Sequence, residues 1–243
     1  GKLLATACED KLVRVYDVES GLLLNELKSH STDVYYLAWS PDGKYLASVG
    51  KAFTARFWST NDFSLLTVYR GHKDRVNMVT FSKDGNFLIT GSRDGTVKIW
   101  TVPKGEVYKT LETGQMVFSL ALSPDGNTLA VSAAERDESF DSFHMYRSDI
   151  HLYQREGDEI KKLKTFKGGE GIFWSLEFSP DGKYLFGSGS DDSIVTWDLK
   201  DYRRGQYIKS SNGNIWEIDI APNFAYLAAA TANNVIEIYT TQE

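Results

Sequence analysis

The middle of the sequence contains the side chains that a nucleophilic triad requires. Thr90 supplies a hydroxyl, His72 a base and Asp94 a carboxylate. A catalytic triad is defined by geometry and not by order along the chain. Two interpretations are therefore open: these residues form a catalytic site, or they satisfy one another's polar groups inside the fold.

A second group of chemically capable residues lies in and beside the segment 134–148. It contains side chains of the types that bind metal ions, namely Glu135, Asp137, Glu138, Asp141, His144, Asp149 and His151. Their spacing matches no recognised metal-binding loop, so we interpret the segment as an acidic, solvated loop and predict no metal site. The glycine-rich segment 168–171 lacks the Lys-Ser/Thr of a phosphate loop and is predicted to be a turn; no cofactor is expected.

Composition narrows the classes of function. The formal net charge is −6 and the pI is about 5.3, and we find no basic patch, so direct binding to nucleic acid is not expected. No apolar run approaches the roughly 20 residues of a membrane span, so no membrane partner is expected either. The lone Cys8 cannot form an internal disulfide, which favours an intracellular location, either cytoplasmic or nuclear.

A repeat of about 42 residues organises the chain and must position these side chains. One phrase, an apolar residue followed by Ser or Ala and a turn, recurs at 39–43, 81–85, 122–126, 178–182 and 220–224. A second phrase, an alternating strand with a final aromatic residue, ends at Tyr16, Trp58, Trp100, Tyr153, Trp197 and Tyr239. The fourth unit is 12 residues longer than the others between the two phrases, and we place this insertion within the segment 134–148.

Each complete unit contains four strand signals, which in the third unit are 76–81, 87–90, 96–100 and 107–111. Asp-Gly pairs between apolar runs predict hairpins. A small antiparallel sheet cannot bury both faces alone, and radial stacking of copies solves this problem. The sequence therefore predicts an all-β fold, a β-propeller with six recognisable blades in one domain over 1–243. The approximate blade units are 1–29, 30–71, 72–113, 114–168, 169–211 and 212–243.

The motifs within the units resemble those of the WD-repeat family. Gly71-His72, Asp94 and Trp100-Thr101 stand where that family places its Gly-His, turn Asp and Trp-Asp, and Trp197-Asp198 and Tyr16-Asp17 match the ending. The second unit departs from the pattern, because Lys51-Ala52 stands where the turn Asp should be. The resemblance implies that His72, Thr90, Asp94 and Trp100 form a buried structural hydrogen-bond network.

The resemblance also implies an incomplete first and last blade. The first unit has only the last three strands of the family's order, and the sixth unit has only the first three. We expect the missing strands upstream of residue 1, within a larger chain, in a ring of six or seven blades.

We call the Ser or Ala of the first phrase, at 40, 82, 123, 179 and 221, the anchor of its unit. The resemblance implies that positions five and seven residues before the anchor, and the position just before the turn Asp, face a partner. The predicted partner-binding residues, with two from the insertion, are Tyr35, Arg75, Asn77, Arg93, Met116, Phe118, Phe140, Phe143, Ile172, Trp174 and Trp216. Aromatic residues, Met and Arg are enriched at interface hot spots. Blades four to six contribute an apolar half and blades one to three a charged half. The alternative is that the aromatics plug the mouth of the central channel or pack between neighbouring blades, and that the insertion packs on its own blade.

The family's role as binding platforms predicts a non-catalytic scaffold for other proteins or peptides, within a multiprotein assembly. One alternative is a propeller enzyme, a hydrolase or isomerase, with its site near the central channel. Another is a reader of modified peptides with an aromatic cage formed by Tyr35, Phe118, Trp174 and Trp216.

Overall fold

A computed structural model describes residues 1–136 and 146–240 of the chain. The described residues form 22 β-strands in six antiparallel sheets, as the repeat predicts. The chain divides into two compact units, Gly1–Val117 and Phe118–Glu243. That one domain spans 1–243 stays a prediction.

The first unit contains three sheets. The first sheet has three strands, β1 (Leu3–Ala7), β2 (Leu12–Asp17) and β3 (Leu23–Lys28). The second has β4 (Val34–Trp39), β5 (Tyr45–Gly50), β6 (Thr54–Ser59) and β7 (Leu65–Arg70). The third has β8 (Val76–Phe81), β9 (Phe87–Ser92), β10 (Thr96–Thr101) and β11 (Val107–Glu112).

The other three sheets lie almost entirely in the second unit. The fourth contains β12 (Met116–Leu122), β13 (Thr128–Arg136), β14 (Tyr146–Glu156) and β15 (Glu159–Glu170). The fifth contains β16 (Phe173–Phe178), β17 (Tyr184–Gly189), β18 (Ser193–Asp198) and β19 (Arg203–Lys209). The sixth has three strands, β20 (Ile215–Ile220), β21 (Tyr226–Thr231) and β22 (Ile236–Thr240). The incomplete first and last sheets were predicted and are confirmed.

The Ser-Pro-Asp-Gly phrase folds into the turn that joins the first two strands of a sheet. Ser40 Oγ donates to Asp42 Oδ1 at 2.7 Å, and the backbone N–H of Tyr45 donates back to Ser40 Oγ at 2.9 Å. Gly43 has a φ of 70°, a left-handed conformation that glycine adopts without steric cost. The same Ser–Asp bond forms in three further sheets, which explains why the phrase recurs with the strand pattern.

Alternating apolar residues of neighbouring sheets form the cores. Within the first unit, Phe57 and Tyr69 of the second sheet pack with Phe81 and Trp100 of the third. Within the second unit, Trp197 packs against Phe173 and Phe166. Burial of these rings supplies the hydrophobic stabilisation that one sheet alone could not obtain.

The segment 134–148 differs from the predicted solvated loop at both of its ends. Ala134, Glu135 and Arg136 continue β13 and pair with Ser148, Arg147 and Tyr146 of β14. Asp149, predicted to belong to the acidic loop, is 7% exposed and forms an ion pair of 2.6 Å with Lys167. The predicted partner residues Phe140 and Phe143 lie outside the described residues.

The glycine-rich segment 168–171 was wrongly predicted to be a turn. Its first three residues complete β15, and Gly171 bridges Arg147 in a parallel pairing. Gly171 has a φ of 86°, and a Cβ there would lie 2.1 Å from Ser190 Oγ. The glycine is therefore needed for a close approach between neighbouring chain segments, and not for a hairpin.

Candidate functional site

A continuous chain of hydrogen bonds joins the four residues that the repeat places in the third sheet. His72 Nδ1 lies 2.9 Å from Asp94 Oδ2, and His72 Nε2 lies 2.7 Å from Thr90 Oγ1. Trp100 Nε1 donates to Thr90 Oγ1 at 2.8 Å. We call these four residues the His72 network. Its connectivity is that of a nucleophilic triad, but Thr90 is 0% exposed, so no substrate can reach its hydroxyl.

The His72 network fastens the segment before β8 to the β9–β10 hairpin. Asp94, in the turn of that hairpin, accepts bonds from the backbone N–H groups of Lys73 and Thr96. Burial raises the pKa of Asp94, but the hydrogen bonds from Thr96, Lys73 and His72 outweigh it and hold the pKa below its usual value. Burial lowers the pKa of His72, against the opposing effect of Asp94. The histidine is therefore neutral at pH 7.

A related network in the second sheet contains a residue that the sequence reasoning missed. His30 Nε2 lies 2.7 Å from Ser48 Oγ, which also accepts a bond of 2.9 Å from Trp58 Nε1. Where the turn Asp is missing, Arg56 Nη1 lies 3.1 Å from His30 Nδ1. We call His30, Ser48, Arg56 and Trp58 the His30 network. Burial, with the positive charge of Arg56, lowers the pKa of His30 to about 3.

The predicted partner-facing position five residues before the anchor coincides with a β-bulge in four sheets. At each bulge the pairing register shifts around one inserted residue of the innermost strand, and these residues are Tyr35, Asn77, Trp174 and Trp216. A bulge interrupts the alternation of side chains and redirects the inserted residue. This geometry explains how large aromatic side chains can leave the core at the second position of a buried strand.

Two of these bulge residues contact each other in the second unit. Trp174 of β16 and Trp216 of β20 stack with ring centroids 4.4 Å apart and an angle of 19° between the rings. Trp174 is half-buried, whereas Trp216 is 50% exposed. We call these two residues the tryptophan pair. Stacking holds the exposed indole in one orientation, which is the arrangement expected of a pre-organised contact residue.

Ser175 joins β16 and β20, the two strands that carry the tryptophan pair. Its hydroxyl accepts a bond of 3.2 Å from the backbone N–H of Ile218 and lies 3.2 Å from Glu217 Oε1, to which it donates. The hydroxyl of Ser119 accepts a bond of 3.1 Å from the backbone N–H of Leu176 in the same way. These bonds fix the spacing between β12, β16 and β20, and they support the tryptophan pair.

Two other predicted contact residues are buried. Phe118 is 7% exposed and packs edge to face against Tyr146 with centroids 6.0 Å apart, and Ile172 is 9% exposed. Their neighbours are buried as well, Val117 and Ser119 beside Phe118 and Phe173 beside Ile172, so these stretches lie in the interior without alternation. The predicted apolar half is therefore smaller than expected, and in the second unit its most exposed ring is Trp216.

The remaining predicted positions retain some exposed surface. Tyr35 is 38% exposed, and Arg75, Arg93 and Met116 are partly exposed. Asn77 Nδ2 donates to the carbonyl of Val117 at 2.7 Å, a bond that holds the side chain against the next strand.

The predicted aromatic cage does not form from these residues. The facing sides of Trp174 and Trp216 contact each other, which leaves no gap between the rings for a cation, and Phe118 is buried. Within residues 1–136 and 146–240, no group of three or more His, Cys, Asp or Glu side chains is arranged to hold a metal ion. Nor does that part of the chain contain a helix long and apolar enough to cross a membrane.

Repeated sheets, the Ser-Asp-Gly turn and the His72 network together define a WD-repeat propeller fold. The family model described as "WD domain, G-beta repeat" matches residues 21–59, 63–101 and 160–198. The protein belongs to the WD40-repeat family, whose members typically act as protein-interaction scaffolds and are usually non-catalytic.

Several curated proteins are similar to this chain. Nuclear distribution protein PAC1 of Arthroderma benhamiae is 31% identical over 211 residues, which cover 86% of this chain and 38% of PAC1. WD repeat-containing protein AAC3 of Dictyostelium discoideum is 24% identical over 200 residues, 82% of this chain and 31% of AAC3. Coronin-7 of Mus musculus is 43% identical over 49 residues, 20% of this chain and 5% of Coronin-7. The chain thus spans well under half of the PAC1 sequence.

Proposed function

We propose that this chain is a non-catalytic scaffold that binds a protein or peptide partner through a surface centred on Trp216. The supporting observation is the tryptophan pair, in which an indole that is 50% exposed stacks on a half-buried one. Tryptophan is one of the residue types enriched at interface hot spots, together with tyrosine and arginine. We further propose that the scaffold works inside the cell within a multiprotein assembly.

The pair has the physical properties that favour binding. An exposed side chain that is free to rotate loses conformational entropy when a partner immobilises it, at a cost of about 0.5–1.5 kcal/mol. Trp174 restrains Trp216 before binding, so much of this cost falls on folding instead of association. The bulges of β16 and β20 direct both rings away from the core, where a partner can bury the exposed indole.

Substitution of Trp216 tests the proposal against a matched surface residue. Tyr226 of β21 lies in the same sheet and is 52% exposed, so Tyr226→Ala removes a comparable exposed aromatic ring. Wild type, Trp216→Ala and Tyr226→Ala are each used to capture partners from an extract of the source cell, with quantification by mass spectrometry. Circular dichroism and thermal unfolding establish that each variant is folded.

We expect a set of proteins whose capture is retained by Tyr226→Ala and lost with Trp216→Ala. A hot-spot residue contributes about 2 kcal/mol or more, so the affinity of these partners should fall roughly thirtyfold. If a folded Trp216→Ala variant captures the same proteins in the same amounts as the wild type, the contact surface lies elsewhere and the proposal is wrong.

A further inference from the structure

The charged residues of β16 and β20, the two strands that carry the tryptophan pair, are all acidic. Strand β16 contributes Glu177, and β20 contributes Glu217 and Asp219, while neither strand contains Lys, Arg or His. Residues 210–240 add Glu237 and contain no cationic side chain at all. The indole of Trp216 is thus presented from a sheet whose formal charge is wholly negative, on a chain whose net charge is −6.

The bulge at Trp216 removes Trp216 and Glu217 from the alternation of a regular strand, in which adjacent residues face opposite ways. The register shift between Ile215 and Glu217 breaks the alternation at Trp216. Both side chains reach β16, because Trp216 stacks on Trp174 while Glu217 Oε1 accepts a bond from Ser175. An exposed indole and a carboxylate therefore lie on adjacent residues of β20, next to the same neighbouring strand.

This combination favours a positively charged ligand group. The face of an indole carries negative electrostatic potential and is the best side-chain surface for a cation–π contact. Trp174 covers one face of Trp216, so a ligand cation would stack on the other face. A planar guanidinium can lie flat on a ring and direct its N–H groups to a neighbouring carboxylate, whereas an ammonium makes a more compact contact.

We propose that Trp216, supported by Trp174 and beside Glu217, binds an arginine side chain of the partner. The inference rests on the proposed function and specifies which chemical group that surface recognises. The complementarity between the acidic strands and the guanidinium charge selects this occupant over an apolar or proline-rich segment.

Defined small probes test the inference without knowledge of the partner. The probes are the N-acetyl N-methylamides of arginine, citrulline and proline, and citrulline has nearly the shape of arginine without its charge. Indole N–H signals of the 15N-labelled protein report binding, and Trp216→Phe assigns the signal of Trp216. Titrations in dilute buffer and at raised salt show the electrostatic share of the affinity.

The arginine probe should shift the indole signals of both Trp174 and Trp216, with an affinity roughly tenfold higher than that of the citrulline probe, or about 1.4 kcal/mol. Glu217→Gln, which keeps an acceptor for Ser175, should weaken the arginine probe roughly threefold and leave citrulline unchanged. In Trp216→Ala, the arginine probe should no longer shift the Trp174 signal. Tyr226→Ala serves as the control and should bind like the wild type.

Equal binding of arginine and citrulline would overturn the inference, as would tighter binding of proline or no shift of Trp216 by any probe at millimolar concentration. These failures differ from a failure of the proposed function. If partners are still lost from Trp216→Ala in the capture experiment, the surface binds a protein through a group other than arginine. If capture is unaffected as well, both proposals fail.

Discussion

The His30 network and the His72 network occupy corresponding places in adjacent sheets but end in groups of opposite charge. Both contain a histidine, a strand hydroxyl and a tryptophan whose N–H donates to that hydroxyl. At the histidine Nδ1, the third sheet places the carboxylate of Asp94 and the second sheet the guanidinium of Arg56. The same fold element thus tolerates an anion or a cation at one of its buried positions.

The imidazole ring makes this exchange possible because one of its nitrogens donates while the other accepts. A carboxylate only accepts, so His72 donates from Nδ1 and accepts at Nε2 from the hydroxyl of Thr90. A guanidinium only donates, so His30 accepts at Nδ1 and donates from Nε2 to Ser48. The two histidines are therefore opposite tautomers, and the hydroxyl reverses its role to match. What the sheets share is the hydrogen-bonded chain, not the charge at its end.

Replacing the histidine of either network should cause the largest loss in the free energy of unfolding. The loss should be larger in the third sheet, for His72, than in the second sheet, for His30. His72→Ala leaves the side chain of Asp94, which is largely buried, without the ring N–H, and we expect a loss of about 3 kcal/mol in the free energy of unfolding. His30→Ala should cost about 2 kcal/mol, because Arg56 keeps bonds to the carbonyl of Ser29 and the hydroxyl of Thr54. Urea unfolding of both variants measures the difference.

Partner capture should be unchanged in folded His72→Ala protein, because the network is buried and holds no exposed contact residue. If binding is lost while the unfolding free energy stays at the wild-type value, the structural role of the His72 network is disproved.

The sequence predicted the architecture far better than the contact surface. Repeat spacing and the Ser-Asp-Gly turn are local properties, and they predicted the four strands of the third sheet to within two residues at each end. Side-chain direction at a bulge depends on pairing with the next strand. For that reason the pattern did not separate the exposed Trp216 from the buried Phe118, which holds the same repeat position.

The sequence pattern also could not predict contacts between residues that are far apart in the chain. The stacking of Trp174 on Trp216 joins two sheets, and no spacing rule within one repeat could indicate it. Arg56 had one usable signal, namely the missing turn Asp at Lys51-Ala52, which left the buried Nδ1 of His30 in need of a different partner.

Acid should destabilise the protein, and His30 should contribute more to this loss of stability than His72. The pKa of His30 is about 3 in the folded chain, against about 6.5 in an unfolded chain. The unfolded state therefore binds more protons below pH 6.5, so the stability from the neutral ring is complete above 6.5 and is lost as the pH falls from 6.5 towards 3. Between pH 7 and pH 5, we expect His30 to account for about 2 kcal/mol.

The matched variants His30→Gln and His72→Gln separate the two contributions. Glutamine does not titrate, so His30→Gln should flatten the dependence of the unfolding free energy on pH by about that amount. His72→Gln should flatten it less, because Asp94 opposes the lowering of the His72 pKa. Equal slopes for wild type and His30→Gln would contradict the buried, neutral state of His30.

The smallest effect, and the most direct test of the comparison, concerns the position of one proton on each ring. Long-range 1H–15N correlation spectra at pH 7 should show His72 protonated at Nδ1 and His30 protonated at Nε2. Substitution of Arg56 by Gln should allow His30 to populate both tautomers, because an amide can donate to Nδ1 or accept from it. The spectrum of His72 should stay unchanged in that variant. If both histidines carry the proton on the same nitrogen in the wild type, the charge at Nδ1 does not determine the tautomer, and the opposite-tautomer interpretation is wrong.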